Sequence, residues 1–348
     1  MELSELTSIV SGGHDLTHSQ ATASADLLAS SVVSPEAKAD FLIALARKGE
    51  VPNEVAGIAT RFRELARNPG LEKWQDSAID VCGTGGDKIG SFNISTTVVF
   101  VLAASGTPVF KHGNRSITSK CGSANLLEAL GVNLMADDAT LRRSMEQLGF
   151  CFMFAPAFHP AFKEIMPVRQ KLAERGQRSV FNILGPLINP ARPAHQLLGV
   201  YSASILDMMA GSLDQLGLKS GLVAHCALAD GRGLDELSVV GENKVRGFGA
   251  LRETDASWPA ETVGLSSAPL EDLLGGELEE NLEILAALLK GKAPKGLEDT
   301  VCLNVAAAFL ATGRHDSIKS ALPEARELLI GGATRRKLEE TREFYSKS

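Results

Sequence analysis

The stretch DVCGTGGDKIGSFNIST, Asp80 to Thr96, packs together four glycines, two acids and five hydroxyl or amide side chains. Glycine N–H groups can close around an anion because no Cβ stands in the way. The run is therefore a candidate phosphate cradle. Two familiar templates do not fit it: Gly86 is followed by Asp87 where a Walker loop needs Lys, and the dinucleotide fingerprint needs a glycine at Lys88. A glycine turn after a strand is also a common structural device. Asn93 to Thr96 (NIST) opens the next helix, where Ser95 or Thr96 can act as an N-cap. A capped helix end is itself a seat for phosphate, so the two readings coexist.

A second loop, KHGNRSITSKCGS, carries Lys111, Arg115 and Lys120 among five hydroxyl or amide donors. After a buried strand it reads as the cationic wall of a polyphosphate pocket, whereas on a plain surface it would be a solvated charge run. A third element, GLDELS, offers adjacent carboxylates at Asp235 and Glu236. Acidic pairs are common on surfaces. Beside a phosphate pocket they become candidate magnesium ligands, since Mg²⁺ is held by one or two carboxylates plus substrate oxygens.

These loops need elements to carry them. From residue 73 onward, SAIDVCGTGG reads as a buried strand, STTVVFVLAASG as an apolar helix, TPVFKHGN as a strand and SANLLEALGV as a helix. Short apolar strands alternating with helices indicate a mainly parallel α/β sheet, whose ligands sit at the carboxyl ends of the strands. A helical interlude is expected around 139–175. Strands resume with HQLLGVYS and SGLVAHCA, and the chain closes on a helix broken at Gly331-Gly332. Residues 1 to about 70 read as helices only. Ser34 caps a helix with Pro35 at its first position, and Phe41, Leu42, Leu45 and Ala46 recur at helical spacing. A further helix starts at Pro52. The expected division is a helical unit over 1–72, joined by helices from about 160–180, and an α/β unit over 73–348.

Composition narrows the function. The chain has 348 residues, 44% hydrophobic and 22% charged, ordinary values for a globular protein with a large core. Aromatics make up 5% and the net charge is −7, which argues against stacking on single-stranded nucleic acid and against binding nucleic acid or membrane surfaces generally. The five cysteines, Cys82, Cys121, Cys151, Cys226 and Cys302, form no C-x-x-C pair and suit free thiols in a reducing compartment. No secretory signal or membrane-spanning run is visible, so a cytoplasmic protein is expected.

With the three loops in place, the sequence resembles the anthranilate phosphoribosyltransferases of tryptophan biosynthesis. GTGGD, FNIST, KHGNRS, GSANLLEALG, FMFAPAFHPA, VRQKL, VFNILGPLINPA and LDELS occur in the family's order and span essentially the whole chain. The resemblance implies the fold shared with pyrimidine nucleoside phosphorylases, in which a small helical domain sits beside a large α/β domain, and a homodimer paired through the helical domain. It implies a pentosyl transfer that joins anthranilate to 5-phospho-α-D-ribose 1-diphosphate, giving N-(5-phosphoribosyl)anthranilate and pyrophosphate, with Mg²⁺ as cofactor. By resemblance, the ribosyl diphosphate contacts Gly83, Gly86, Asp87, Ser91, Asn93, Ile94, Ser95 and Thr96. It also meets Lys111, His112, Gly113, Asn114, Arg115, Ser116, Ile117, Thr118, Ser119 and Ser123. Ser95, Asp235 and Glu236 hold the metal. Gly83, Asn114 and Arg169 meet anthranilate, and the turn at Pro186 lines the aromatic's path. His112 is a possible catalytic base, with a positioning role the plainer alternative.

VRQKLAERGQRSVFN and HCALADGRGLDELS are each a few residues longer than the family's usual form, near Ala173–Gln177 and Ala227–Arg232. Two other readings remain: a pyrimidine nucleoside phosphorylase-like enzyme, and a non-catalytic nucleic-acid-binding paralogue of the same fold.

Overall fold

The computed structural model describes residues 1–115 and 120–347. Four helices come first: α1 (Leu3–Ser11), α2 (His18–Ala29), α3 (Pro35–Lys48) and α4 (Pro52–Glu64). Local chemistry sets their ends. The Ser34 hydroxyl accepts the Ala37 N–H at 3.2 Å to cap α3, and proline occupies the first position of both α3 and α4.

A short helix, α5 (Glu72–Gln75), leads into the sheet. Next come β1 (Ile79–Gly83), α6 (Ile94–Ala104), β2 (Val109–Gly113), α7 (Ser123–Ala129), α8 (Asp138–Leu148), β3 (Phe150–Phe154) and α9 (Ala155–Phe158). Then α10 (Met166–Glu174), β4 (His195–Gly199), α11 (Leu206–Gln215), β5 (Ser220–Ala227), β6 (Gly233–Leu234), β7 (Glu242–Gly249) and β8 (Asp255–Trp258) follow. The chain ends in α12 (Leu278–Leu288), α13 (Lys295–Ala311), α14 (Ile318–Ile330) and α15 (Ala333–Ser346).

The sheet runs β3-β2-β1-β4-β5-β7-β8, with β6 paired to β5. β1 to β5 pair in parallel, while β6, β7 and β8 add antiparallel. The chain builds outward from β1 to β3, then returns to place β4 on β1's other side. That reversal makes the β1/β4 junction a topological switch point, where α/β sheets open a crevice at their carboxyl ends. Gly83 and Gly199 stand opposite each other at this end.

Helices cover both faces. One core gathers α6, α7, α8 and α12 to α15 on one side. The other gathers α1 to α4, α10 and α11 with Cys82, Leu198 and Val223 of the opposite sheet face. The fold class read from the sequence, a small helical domain and a large, mainly parallel α/β domain, is what the structure has. The 3₁₀ turn Pro160–Glu164 packs on α2, and α10 packs on α3.

One local expectation differs. The stretch expected as a helical interlude contains β3, whose FCFMF run is buried at four of its five positions and pairs residue for residue with β2. A continuous apolar run of that length fits either a buried strand or a piece of buried helix, and sheet pairing decides it. The lengthened segment before Asp235 is the turn of the β5–β6 hairpin, closed by Leu228 N–H to the Arg232 carbonyl at 2.9 Å.

Candidate active site

At the end of β1 the chain turns into the glycine loop, and the acidic pair closes over it. The Asp235 carboxylate accepts the Gly85 N–H at 2.6 Å. A Cβ at Gly83 would collide with that carboxylate, and one at Gly199 with the Asp235 backbone carbonyl. Both strand ends must therefore be glycine for the acidic segment to lie across them. Gly86 has a different constraint: its φ of +88° is open to glycine, while the space around it is empty within 4 Å. Its backbone faces outward, free to meet a ligand.

Three carboxylates converge here. Asp235 is raised well above the usual carboxylate range, first by burial and then by the charges of Asp87 and Glu236. Glu236 is raised as well, chiefly by burial and against the opposing pull of Lys111. Asp87 accepts the Ile89 N–H through one oxygen, and its buried second oxygen has no hydrogen-bond donor. Negative groups crowded in this way call for a cation. Among the described residues no three His, Cys, Asp or Glu side chains form a protein-only metal cage. An open set of carboxylates and hydroxyl suits magnesium, which keeps positions for water and substrate oxygens.

Lys111 supplies the nearest positive charge. It sits buried at the middle of β2, and its ammonium group donates to the Val81 carbonyl at 2.9 Å and the Ser95 hydroxyl at 3.4 Å. Ser95 N–H in turn donates to Glu236 at 3.3 Å. Ser95 is thus the common neighbour of lysine and acid. It is not the helix N-cap: α6 begins at Ile94 after Asn93, which makes no side-chain cap bond. Asn93 spends its amide on the Cys121 carbonyl at 3.0 Å and receives the Asn281 amide at 3.1 Å, tying the first loop to the second. Ile94 is buried, and the buried Thr96 hydroxyl has no partner. Ser91 forms an isolated bridge to Leu274.

On the second loop, Gly113 lies close to Ser123, whose hydroxyl donates to the Asn114 carbonyl at 3.4 Å. Asn114 is exposed and its side chain accepts the Arg115 N–H at 2.8 Å. Arg115 pairs with Glu128 at 2.9 Å, with both side chains about half exposed. Ser116, Ile117, Thr118 and Ser119 lie outside the described residues.

The other side of the crevice is aromatic. His112 Nε2 stands 3.1 Å from His159 Nε2, so one ring donates and the other accepts. Burial lowers both imidazoles, His112 well below its ordinary value and His159 to about 4. The His159 ring meets Phe162, with centroids 5.5 Å apart, and Phe162 meets Phe181 at 5.5 Å. Arg169 stands 5.5 Å above the Phe181 ring. Its guanidinium is half-buried, and among the described residues it makes no ion pair; it donates to the Phe181 carbonyl at 3.5 Å and to the Met166 sulfur at 3.9 Å. A cation set against aromatic rings with no carboxylate of its own is equipped to receive one from a ligand. The neighbouring 3₁₀ turn, Gly185–Leu187, holds the buried Pro186.

Known proteins share this arrangement of domains. The helical bundle domain of the glycosyl transferase family matches residues 4–66, and that family's a/b domain matches residues 75–335. The anthranilate phosphoribosyltransferase of Roseiflexus castenholzii is 42% identical over 330 residues, 94% of each chain. The chain belongs to the anthranilate phosphoribosyltransferase family. The enzyme of that name from Thermus thermophilus is 46% identical over 302 residues, 86% of this chain and 87% of its own. A crystal structure of the Thermus thermophilus family member superposes with a TM-score of 0.89 at 42% identity, covering 98% of this chain and 99% of that one. The Saccharomyces cerevisiae family member, solved in complex with PRPP and Mg, shares the fold at a TM-score of 0.83 and 23% identity, covering 99% and 98%.

Sequence reasoning gave no role to several residues of the crevice. Asp80 is fully buried on β1, and burial pushes its carboxyl up to about 6. It accepts the Asn189 amide at 2.9 Å, and that amide also donates to the Phe110 carbonyl at 2.8 Å. His159, Phe181 and Asn189 all lie inside the motifs FMFAPAFHPA and VFNILGPLINPA, so their neighbourhood was legible even though their partners were not.

Proposed function

We propose that this chain transfers the 5-phosphoribosyl group of 5-phospho-α-D-ribose 1-diphosphate to the amine of anthranilate, a step of tryptophan biosynthesis. Family membership supports the activity. The observation that carries the site is the Asp235–Glu236 pair drawn across the glycine loop beside Lys111.

The glycine loop (Gly83, Gly86, Asp87), the start of α6 with its approach (Ser91, Asn93, Ile94, Ser95, Thr96) and the second loop (Lys111 to Ser119, with Ser123) take the ribosyl diphosphate. Ser95, Asp235 and Glu236 hold magnesium, which supplies positive charge against the diphosphate oxygens. Asp87, with its unpartnered oxygen, stands beside them.

Anthranilate's amine is of the aniline type and unprotonated at neutral pH, so attack needs no strong base. The chain's work is electrostatic: Lys111 and the loop N–H groups are fixed before the pyrophosphate departs and favour the charge it gathers. His112, neutral and bonded to His159, positions the acceptor side. Arg169 receives the carboxylate through its guanidinium fork, with Gly83 and Asn114 completing the acceptor contacts and Pro186 lining the path.

Residues 1–72, joined by the segment from about 160–180, form the unit through which two copies pair. A cytoplasmic setting fits the buried free thiols Cys82, Cys151, Cys226 and Cys302. Among the described residues no helix is long and apolar enough to cross a membrane.

Steady-state assay with anthranilate, the ribosyl diphosphate and Mg²⁺ tests the activity, with a pyrimidine nucleoside plus phosphate as the comparison. Turnover of the first pair alone is expected. A folded protein that consumes only the nucleoside overturns the reading.

A further inference from the structure

The turn that carries Pro186 is held from several directions. The Pro186 carbonyl accepts the Gln196 amide of β4 at 2.8 Å. Asn189, just past the turn, bonds Asp80 of β1 and the Phe110 carbonyl of β2. The Gly185 carbonyl acts on the His112 ring. All of these anchors belong to the sheet. The remaining one does not: Arg63, in the last turn of α4, donates its Nε–H to the Leu187 carbonyl at 2.6 Å.

Arg63 is an expensive residue to place there. It is 8% exposed, and among the described residues it takes part in no ion pair. Burial and the charge of Arg192 lower its pKa to about 10 against a smaller opposing pull from Asp80, which still leaves it charged at neutral pH. A buried guanidinium without a paired carboxylate is retained against its desolvation cost, and stability alone is a weak reason to keep it. What it supplies is a charge-assisted bond in a direction that a planar, delocalised cation can hold. Its neighbour on α4, Phe62, packs edge-on against Phe181 at 5.7 Å, beneath Arg169. The last two turns of α4 therefore touch both the Pro186 turn and the ring under Arg169.

We propose that Arg63 is a positioning residue for the acceptor substrate: it fixes the Gly185–Leu187 turn relative to the helical domain, so that anthranilate recognition depends on how that domain sits against the sheet. The inference rests on assigning the Pro186 turn to the aromatic's path. Among the described residues no hydrogen bond or ion pair joins Arg63 to the phosphate loops, and only its charge reaches His112, so the ribosyl diphosphate should sense its loss far less than anthranilate does.

Full-length Arg63→Met and Arg63→Lys enzymes, compared with wild type while each substrate is varied in turn, test this. Arg63→Met keeps the apolar stem and removes the charge. Its anthranilate KM should rise roughly tenfold or more, with the KM for the ribosyl diphosphate near wild type. Arg63→Lys should show the same one-sided rise at smaller size, and it carries the test if the Met variant does not fold. A purely structural role would lower the melting temperature without splitting the two KM values. Unchanged anthranilate KM, or equal rises in both, overturns the inference in an active enzyme. A wild type without turnover overturns the functional reading and this inference with it.

Discussion

The Asp235 carboxylate accepts the Gly85 N–H at 2.6 Å, across 150 residues of sequence. That bond makes one site of the glycine loop and the acidic pair, and it places negative charge where a diphosphate is proposed to lie. Without a cation between them the two would repel.

Replacing Asp235 by Asn and Glu236 by Gln together tests that role. The amides relieve the crowding of buried negative charge, so the fold should persist. Turnover should fall by at least about a hundredfold, in line with losing an electrostatic element of the transition state. Mg²⁺ should also no longer raise the melting temperature in the presence of the ribosyl diphosphate. An unchanged Mg²⁺-dependent shift in the double variant removes the pair from the metal site.

Gly86→Val separates ligand contact from packing. No atom lies within 4 Å of the added Cβ, but a φ of +88° costs a branched residue on the order of 1–2 kcal/mol. The variant should fold and bind the ribosyl diphosphate far more weakly, with anthranilate binding less affected. Equal losses for both substrates would point to general distortion of the loop.

For Arg169 the expected loss is that of one charge-assisted bond, about 1.5–3 kcal/mol, or roughly tenfold to a hundredfold in affinity. Arg169→Ala should raise the anthranilate KM by that factor and leave the KM of the ribosyl diphosphate much less changed. Lysine should restore only part of it, because a point charge lacks the fork. A wild-type anthranilate KM in Arg169→Ala would shift the carboxylate contact elsewhere, with Arg178 the next candidate.

The histidine pair sets a pH dependence of stability. His159 is held neutral by burial, with its pKa lowered to about 4 from an unfolded value near 6.5. Below pH 6.5 the unfolded chain binds the extra proton first, so stability falls as pH drops from about 6.5 towards 4 and is unaffected by this group above that window. Its share is on the order of 3 kcal/mol. His159→Gln should flatten melting temperature against pH across that range relative to wild type. Parallel curves for the two proteins would show that the ring's protonation is not linked to folding.

The fold and the phosphate side were legible because their signals are local. A buried strand running into GTGGD, or a cation-rich loop after TPVF, announces itself within ten or so residues. The β7–β8 region was harder: β7 reads ENKVRGFG, with buried and exposed positions alternating in its first half, but its charges hide the strand. Long-range packing was not legible at all. Nothing near Gly199 says that the Asp235 backbone crosses it, and nothing near Arg63 says that its guanidinium ends on Leu187. Such partners are chosen by the assembled sheet and its helices, and they occupy the acceptor side of the crevice more than the phosphate side.

The central claim is a transfer of one phosphoribosyl group from the diphosphate to the aromatic amine. Measuring anthranilate consumed and pyrophosphate released in the same reaction tests it most directly. Equal molar amounts, both abolished when either the ribosyl diphosphate or Mg²⁺ is withheld, are the predicted result. Pyrophosphate released without consumption of anthranilate, or no release at all from folded protein, would contradict it.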